Sequence, residues 1–244
     1  MKKLAIIDNS LWPEVYNPVE HWTAYLDLPY RAFRAVEGYL PDLEDGYTHL
    51  IVTGSEASIV NLEPWVLAEA DLLQEAVERN LVVLGSCYGH QLLALALAGR
   101  QSVRRAARPE IGWIEVEILK TDPLLGSRGR RHVFSSHYDE VYNLDESRFE
   151  ILARSQHCPV QAFRLRGKKV WGLQAHPEID PASAALLLRG MLDRGFSGTE
   201  FINQALASAP SDDGWIETIS RNFVSLQNSE KGVCLSLARR WYPG

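Results

Sequence analysis

Leu81-Val82-Val83-Leu84-Gly85-Ser86-Cys87-Tyr88-Gly89-His90-Gln91-Leu92-Leu93 decides how this chain is read. An aliphatic run breaks into Gly-x-Cys-x-Gly, and a second apolar segment, residues 92–98, follows at once. Such a run, bounded by turn residues, reads as a strand buried on both faces, as in a parallel sheet. Gly85 and Gly89 allow a turn too tight for side chains. The pattern is that of a nucleophile elbow with cysteine at its tip. The Tyr88 amide points to the same spot, and the positive end of the next helix favours a thiolate. The alternative is a buried cysteine in a glycine-containing βα turn, since cysteine is among the most buried residue types.

Outward from the elbow, the chain alternates. Residues 4–7, closed by Asp8, read as a short first strand, 30–36 as a second, and 49–55 as a strand breaking into Thr53-Gly54-Ser55. That break can present backbone N–H groups to an anion, or be an ordinary βα turn. Residues 64–80 read as a helix with Trp65, Ala68, Leu72, Leu73, Ala76 and Val77 on its apolar face. Strand, helix, strand, elbow, helix predicts a mostly parallel sheet with helices on both faces. Past Gly99 the reading changes to shorter strands over 114–118, 132–142 and 149–153, then a hairpin over 160–174, which makes the sheet mixed. A helix over 181–192 carries Leu186, Leu187 and Leu188 toward the core, and helices over 199–207 and 214–226 follow. The expected organisation is an α/β unit over 1–194 with a C-terminal helical extension over 195–244. Residues 9–29, rich in Trp, Tyr and Pro, read as a loop with one helical turn near 19–26. Its aromatics either fold back on the core or overhang a binding site.

A formal charge of −6 over 244 residues argues against a general nucleic-acid binder. No stretch approaches membrane-spanning length, and Asp8 ends the apolar run of the N-terminus too early for a signal peptide. The three cysteines, Cys87, Cys158 and Cys234, have no metal or disulfide spacing. A free thiol suits a reducing cytoplasm. Phosphate-loop and dinucleotide fingerprints are absent, so no cofactor is expected. His157 and Cys158 with His132 and His137 lack zinc-site spacing, so no metal is expected either. Arg100, Arg104, Arg105 and Arg108, with Arg128, Arg130 and Arg131, make local basic ground. It is read as a solvated strand edge, or as a dock for a partner or an anionic substrate.

A nucleophilic cysteine needs a base, and the base an orienting group. Of the seven histidines, His90 sits on the helix after the elbow, where its ring reaches the sulfur poorly. His176 stands at the end of a strand, where α/β folds place site residues. Glu178 follows across the stiff Pro177 and can return to the imidazole. Cys87, His176 and Glu178 are therefore the candidate triad. An α/β-hydrolase order would instead need Asp139 or Asp145 as the acid, and a non-catalytic binding module is the remaining alternative.

Gly-Ser-Cys-Tyr-Gly-His-Gln at 85–91, followed by Gly-Leu-Gln-Ala-His-Pro-Glu at 172–178, resembles the class I glutamine amidotransferases. The likeness is nearest to the glutaminase domains of GMP synthases and their stand-alone relatives. It covers about residues 3–192, and Val52-Thr53-Gly54-Ser55, Ile111-Gly112-Trp113 and Ser135-Ser136-His137-Tyr138-Asp139 agree with it. The resemblance implies a flavodoxin-like fold and attack of Cys87 on the side-chain amide of glutamine. It implies an oxyanion hole from the Gly54 and Tyr88 amides, and glutamyl recognition by Gln91 and the backbone of Ser136 and His137. His176 would protonate departing ammonia. The chain departs from the family in reading Gly-Ser-Glu where Gly-Gly-Pro is commoner, and in placing Tyr88 where an aliphatic residue is usual. No Ser-Gly-Gly-x-Asp-Ser loop for ATP is present. The implied partner is glutamine or a γ-glutamyl compound, with either a separate synthetase subunit fed with ammonia or a homodimer contact.

Overall fold

In the computed structural model, which describes residues 2–227, the continuous aliphatic runs lie in the middle of one sheet. The strands are β1 (Leu4–Asp8), β2 (Tyr30–Arg34), β3 (His49–Val52), β4 (Val82–Ser86), β5 (Val103–Ile118), β6 (Gly129–Val141), β7 (Phe149–Arg154), β8 (Ala162–Leu165) and β9 (Val170–Leu173). The helices are α1 (Pro18–Thr23), α2 (Val66–Glu78), α3 (Tyr88–Ala98), α4 (Pro181–Asp193), α5 (Thr199–Ala207) and α6 (Trp215–Ser225). The nine strands run in the order β2-β1-β3-β4-β9-β8-β7-β5-β6. From β2 to β9 the pairing is parallel, and from β9 to β6 antiparallel. This is the mixed α/β sheet expected.

Every residue of β1, β3, β4 and β9 is buried, and their side chains sort by the period of two. Ala5, Ile7, Leu50, Val52 and Val83 face α2 and α3, meeting Val66, Leu73, Leu92 and Leu95. Leu4, Ile6, Ile51, Val82 and Leu84 face the other way, toward Trp22, Trp171, Trp215, Ile219 and Phe223. Fully burying one such Leu, Ile or Phe is worth about 1.5–3 kcal/mol, so both faces need cover. α6 provides part of it: Trp215 Nε1 donates to the Leu125 carbonyl at 2.9 Å, and Phe223 packs edge-on against His49. A third cluster joins Phe134 to Leu187, Leu188 and Met191 of α4 and Ile202 of α5. α5 lies close on β5. At Gly112, where φ is +108°, a Cβ would stand 2.8 Å from the Ala205 Cβ.

Three local expectations are corrected. The buried stripe of α2 is Val66, Glu69, Ala70, Leu73, Ala76 and Val77, while Ala68 is exposed: the helix is rotated toward a carboxylate that periodicity places outside. Leu186 is 63% exposed, and Leu187 and Leu188 alone of the three are buried, since three consecutive residues span too wide an arc for one face. β5 begins at Val103, eleven residues before the alternating segment at 114–118. Two of its arginines pair across the strands, Arg104 with Glu140 at 2.8 Å and Arg105 with Asp139 at 3.1 Å. The last part of the 195–244 extension, including Cys234, lies outside the described residues.

Candidate active site

β4 ends at Ser86, and the chain must turn at once into α3. Cys87 makes that turn with φ +49° and ψ −103°, a conformation few non-glycine residues adopt. The two flanking glycines are required sterically. A Cβ on Gly85 would strike the Gly89 carbonyl, and one on Gly89 the Val52 carbonyl. The backbone is tied down from both sides, with Cys87 N donating to the Leu173 carbonyl at 2.8 Å and Gly89 N to the Thr53 carbonyl at 3.1 Å. Tyr88 is the first residue of α3, so its amide belongs to the end of the helix that favours anions.

β9 is the parallel neighbour of β4, so the chain leaving its C-terminal end passes the elbow. His176 N donates to the Phe134 carbonyl at 2.8 Å, which fixes the ring beside β6. Its Nδ1 lies 2.8 Å from Glu178 Oε1, and the ring lines the same cavity as Cys87. With Nδ1 committed to the carboxylate, Nε2 is the nitrogen left for the sulfur. Cys87, His176 and Glu178 are each at most 4% exposed. Burial alone would push the His176 pKa down. Its interactions with Cys87 and Glu178 override that and raise the value to about 10.

Two residues not singled out in the sequence complete this constellation. The Tyr16 hydroxyl donates to Glu178 Oε1 at 3.1 Å, and its ring meets His176 edge-on at 5.6 Å between centroids. The aromatic loop thus supplies one site residue, while Trp22 goes to the core. Gln174 Nε2 donates to Cys87 Sγ at 3.6 Å. It stands inside the motif that carries His176, two residues before it, and that period-two spacing in the extended segment after β9 is the signal that could have found it. The Ser86 hydroxyl reaches Glu178 Oε1 at 3.5 Å.

Gly54 lies against the same ring: a Cβ there would stand 2.8 Å from His176 Cε1 and 2.9 Å from the Tyr16 hydroxyl. Gln91 Nε2 donates to the Asp139 carbonyl at 2.8 Å and to Gln174 Oε1 at 3.1 Å. The Ser136 carbonyl lies 3.7 Å from Cys87 Sγ. His137 lines the same cavity, but both ring nitrogens face acceptors, Asp139 O at 2.9 Å and Glu110 Oε2 at 3.2 Å. Its side chain is a strut and only its backbone is available to a ligand. Burial would push the Glu110 carboxyl up, yet its bonds to His137 and Ser155 hold it below the ordinary value. His90 packs on Phe163 at 4.9 Å, and burial lowers its pKa to about 3. Asp139 is bound by Arg105 and Ser58, and Asp145 by Ser147 at the surface. Neither is engaged with His176.

The cavity in front of Cys87 has a volume of about 390 Å³. Its lining includes Leu11, Tyr16, Gln91, Arg105, Ser136 and Met191. As to metals, Glu110, His137 and Cys158 bring possible ligand atoms within 4.8 Å of one another. This differs from the sequence grouping of His132, His137, His157 and Cys158. The Glu110 carboxylate is already filled by Ser155 at 2.7 Å, Gln161 at 2.6 Å and His137, as befits a hydrogen-bonded cluster.

An elbow cysteine, a histidine after the neighbouring strand and a carboxylate two residues on are thus gathered at the C-terminal end of the parallel strands. The chain belongs to the family Glutamine amidotransferase class-I, whose model matches residues 40–189. It is 38% identical over 109 residues to a glutamine-hydrolyzing GMP synthase subunit of Pyrococcus abyssi, covering 44% of this chain and 56% of that one. It is 34% identical to the protein of the same name from Methanothermobacter thermautotrophicus, covering 53% and 69%. The chain thus spans about half the length of the first of these relatives. Among solved structures, a glutamine amidotransferase from Thermotoga maritima superposes with a TM-score of 0.72 at 20% identity, over 92% of this chain and 99% of that one. One from Methylobacillus flagellatus gives 0.70 at 23% identity, over 95% and 98%. These two show the shared fold. Among the described residues no helix is long and apolar enough to cross a membrane.

Proposed function

We propose that the protein hydrolyses the side-chain amide of glutamine through a γ-glutamyl thioester on Cys87. The observation that carries this reading is His176, held at 2.8 Å by Glu178 in the cavity that Cys87 also lines. The sulfur, as thiolate beside the imidazolium, attacks the amide carbon, and the carbonyl oxygen gathers the negative charge. The Gly54 and Tyr88 amides receive that oxyanion, each donor being worth about 10²–10³ in kcat. The C–N bond breaks as His176 gives its proton to the nitrogen, and ammonia leaves. Neutral His176 then takes a proton from water, whose oxygen attacks the thioester. The C–S bond breaks, thiolate and imidazolium are restored, and glutamate departs. Glu178 keeps the ring in the required tautomer throughout. Gln174 and Gln91 form an amide chain behind the sulfur that fixes its direction.

A γ-glutamyl compound larger than glutamine is the second reading. It is favoured by the cavity, whose volume of about 390 Å³ is in the range that holds drug-sized ligands. The relatives that are GMP synthase subunits support a third element, a separate synthetase that receives the ammonia, with a homodimer contact as the alternative use of the added surface. We read residues 1–194 as the amidotransferase unit and 195–244 as its extension. The test is release of ammonia and glutamate from glutamine by the purified chain, beside γ-glutamyl dipeptides and the Cys87→Ser variant. Turnover that survives in Cys87→Ser would end the proposal.

A further inference from the structure

The cavity in front of Cys87 is bounded in part by an apolar cluster. Tyr16, Phe134, Leu187 and Met191 are buried members of that cluster, and Tyr138 and Phe196 pack against it. All but Phe134 line the cavity itself. The family match over residues 40–189 includes neither Tyr16 nor Met191 nor Phe196, so much of this surface comes from outside the matched span. Two sets of contacts place the cluster beside the reacting groups. The Tyr16 and Phe134 rings lie 5.6 and 6.4 Å from the His176 ring between centroids. The Ser136 hydroxyl donates to Met191 Sδ at 3.5 Å, and the carbonyl of the same residue is 3.7 Å from Cys87 Sγ. Phe196 is half-buried, and its segment is held in place. Its ring meets Trp12 edge-on at 5.7 Å, and the Tyr138 hydroxyl donates to the Ser197 carbonyl at 2.6 Å.

In the thioester step the leaving nitrogen takes its proton from His176, so whatever that nitrogen carries lies on the His176 side. Ammonia carries nothing there. The head of the glutamyl part is zwitterionic and gains nothing from apolar surface. An alkyl group on the leaving nitrogen gains about 25 cal/mol for each Å² that it covers. We infer that the cavity takes γ-glutamyl amides whose departing amine bears an apolar group, and that Phe196 helps to select it. This rests on the thioester reading above. The balance of the step is the same as for glutamine. The C–N bond breaks, His176 gives its proton to the nitrogen, and the amine leaves where ammonia would, with the glutamyl group on Cys87. Phe196 is a specificity residue and moves no proton.

The test uses glutamine and three γ-glutamyl amides, those of methylamine, of hexylamine and of 5-hydroxypentylamine, which matches hexylamine in length but ends in a hydroxyl. In wild type, kcat/KM for the hexylamide should exceed that for each of the other two amides by about 10-fold. In Phe196→Ala its advantage over the hydroxylated amide should fall by about three- to tenfold, and Phe196→Leu, which restores an apolar side chain, should recover most of it. An absent wild-type advantage overturns the inference, as does one that is the same in Phe196→Ala. Calorimetry of the hexylamide and the hydroxylated amide on Cys87→Ala, with and without Phe196→Ala, separates the two levels. Glutamine turnover with no hexylamide advantage, in rate or in binding, leaves the thioester reading standing and overturns the inference. Tighter, Phe196-dependent binding of the hexylamide, by a chain whose wild type turns over none of the four substrates, supports the apolar subsite and ends the thioester reading.

Discussion

The Tyr16 hydroxyl donates to Glu178 Oε1 at 3.1 Å, joining the loop after β1 to a carboxylate 162 residues further along the chain. The same oxygen accepts from His176 Nδ1 at 2.8 Å, so Tyr16 holds the far side of the carboxylate that holds the imidazole. Tyr16→Phe removes a buried hydrogen bond to a charged group and keeps the ring. The expected loss is about 1.5–3 kcal/mol of stability, read by urea unfolding, with the ring packing against His176 intact. Unchanged stability would mean that this bond contributes nothing.

His176 is raised to about 10 by Cys87 and Glu178 against the effect of burial. Its folded value lies above the unfolded 6.5, so its stabilising contribution is fully present below pH 6.5 and is lost as pH rises through about 10. The imidazolium that protonates the leaving nitrogen disappears over the same upper range. The kcat/KM profile should therefore hold to alkaline pH and fall near 10. Glu178→Gln removes one of the raising charges, so the alkaline limb should move to lower pH and kcat fall by about 10²–10⁴-fold. An alkaline limb that does not move would contradict the assignment of Glu178.

Glu69 is fully buried on α2, with neither oxygen at bonding distance of a partner. Burial pushes its pKa up from 4.5 to about 8, only partly offset by the Asn9 side chain. Here the raised value again means stability present below 4.5 and lost as pH rises through 8. Relative to Glu69→Gln, the wild type should lose about 1.4 kcal/mol per pH unit across that window. Unfolding free energies at pH 5, 7 and 9 decide the matter, and parallel profiles for the two proteins would refute it.

Gly89 stands where any Cβ would strike the Val52 carbonyl. Backbone cannot retreat as a flexible side chain can, so Gly89→Ala should destabilise by at least about 1–3 kcal/mol and reduce soluble yield. Wild-type melting behaviour in that variant would show that the elbow is looser than described.

Much of this was legible in the sequence, for a physical reason. β1, β3 and β4 are buried on both faces, so they appear as unbroken aliphatic runs, and the glycines at 85 and 89 mark a turn that nothing larger could make. His176 and Glu178 are close in the chain, and Pro177 between them restricts the geometry. What escaped depends on distant partners. Arg104 and Arg105 of β5 stay exposed, as a solvated edge has them, but their partners Glu140 and Asp139 are set by the pairing with β6. Tyr16 looks like any loop aromatic until Glu178 meets it. Glu69 breaks the rule that carboxylates mark the outer face of a helix, so periodicity turns α2 the wrong way.

The central claim is that Cys87 is the nucleophile that carries the glutamyl group. A glutamine-like diazo-ketone, incubated with the full chain and followed by peptide mass spectrometry, tests it most directly. The account predicts one adduct, on the peptide containing Cys87, with Cys158 and Cys234 unmodified and glutamine protecting against labelling. An adduct on either of those two cysteines, or labelling at the wild-type rate in Cys87→Ser, would contradict it.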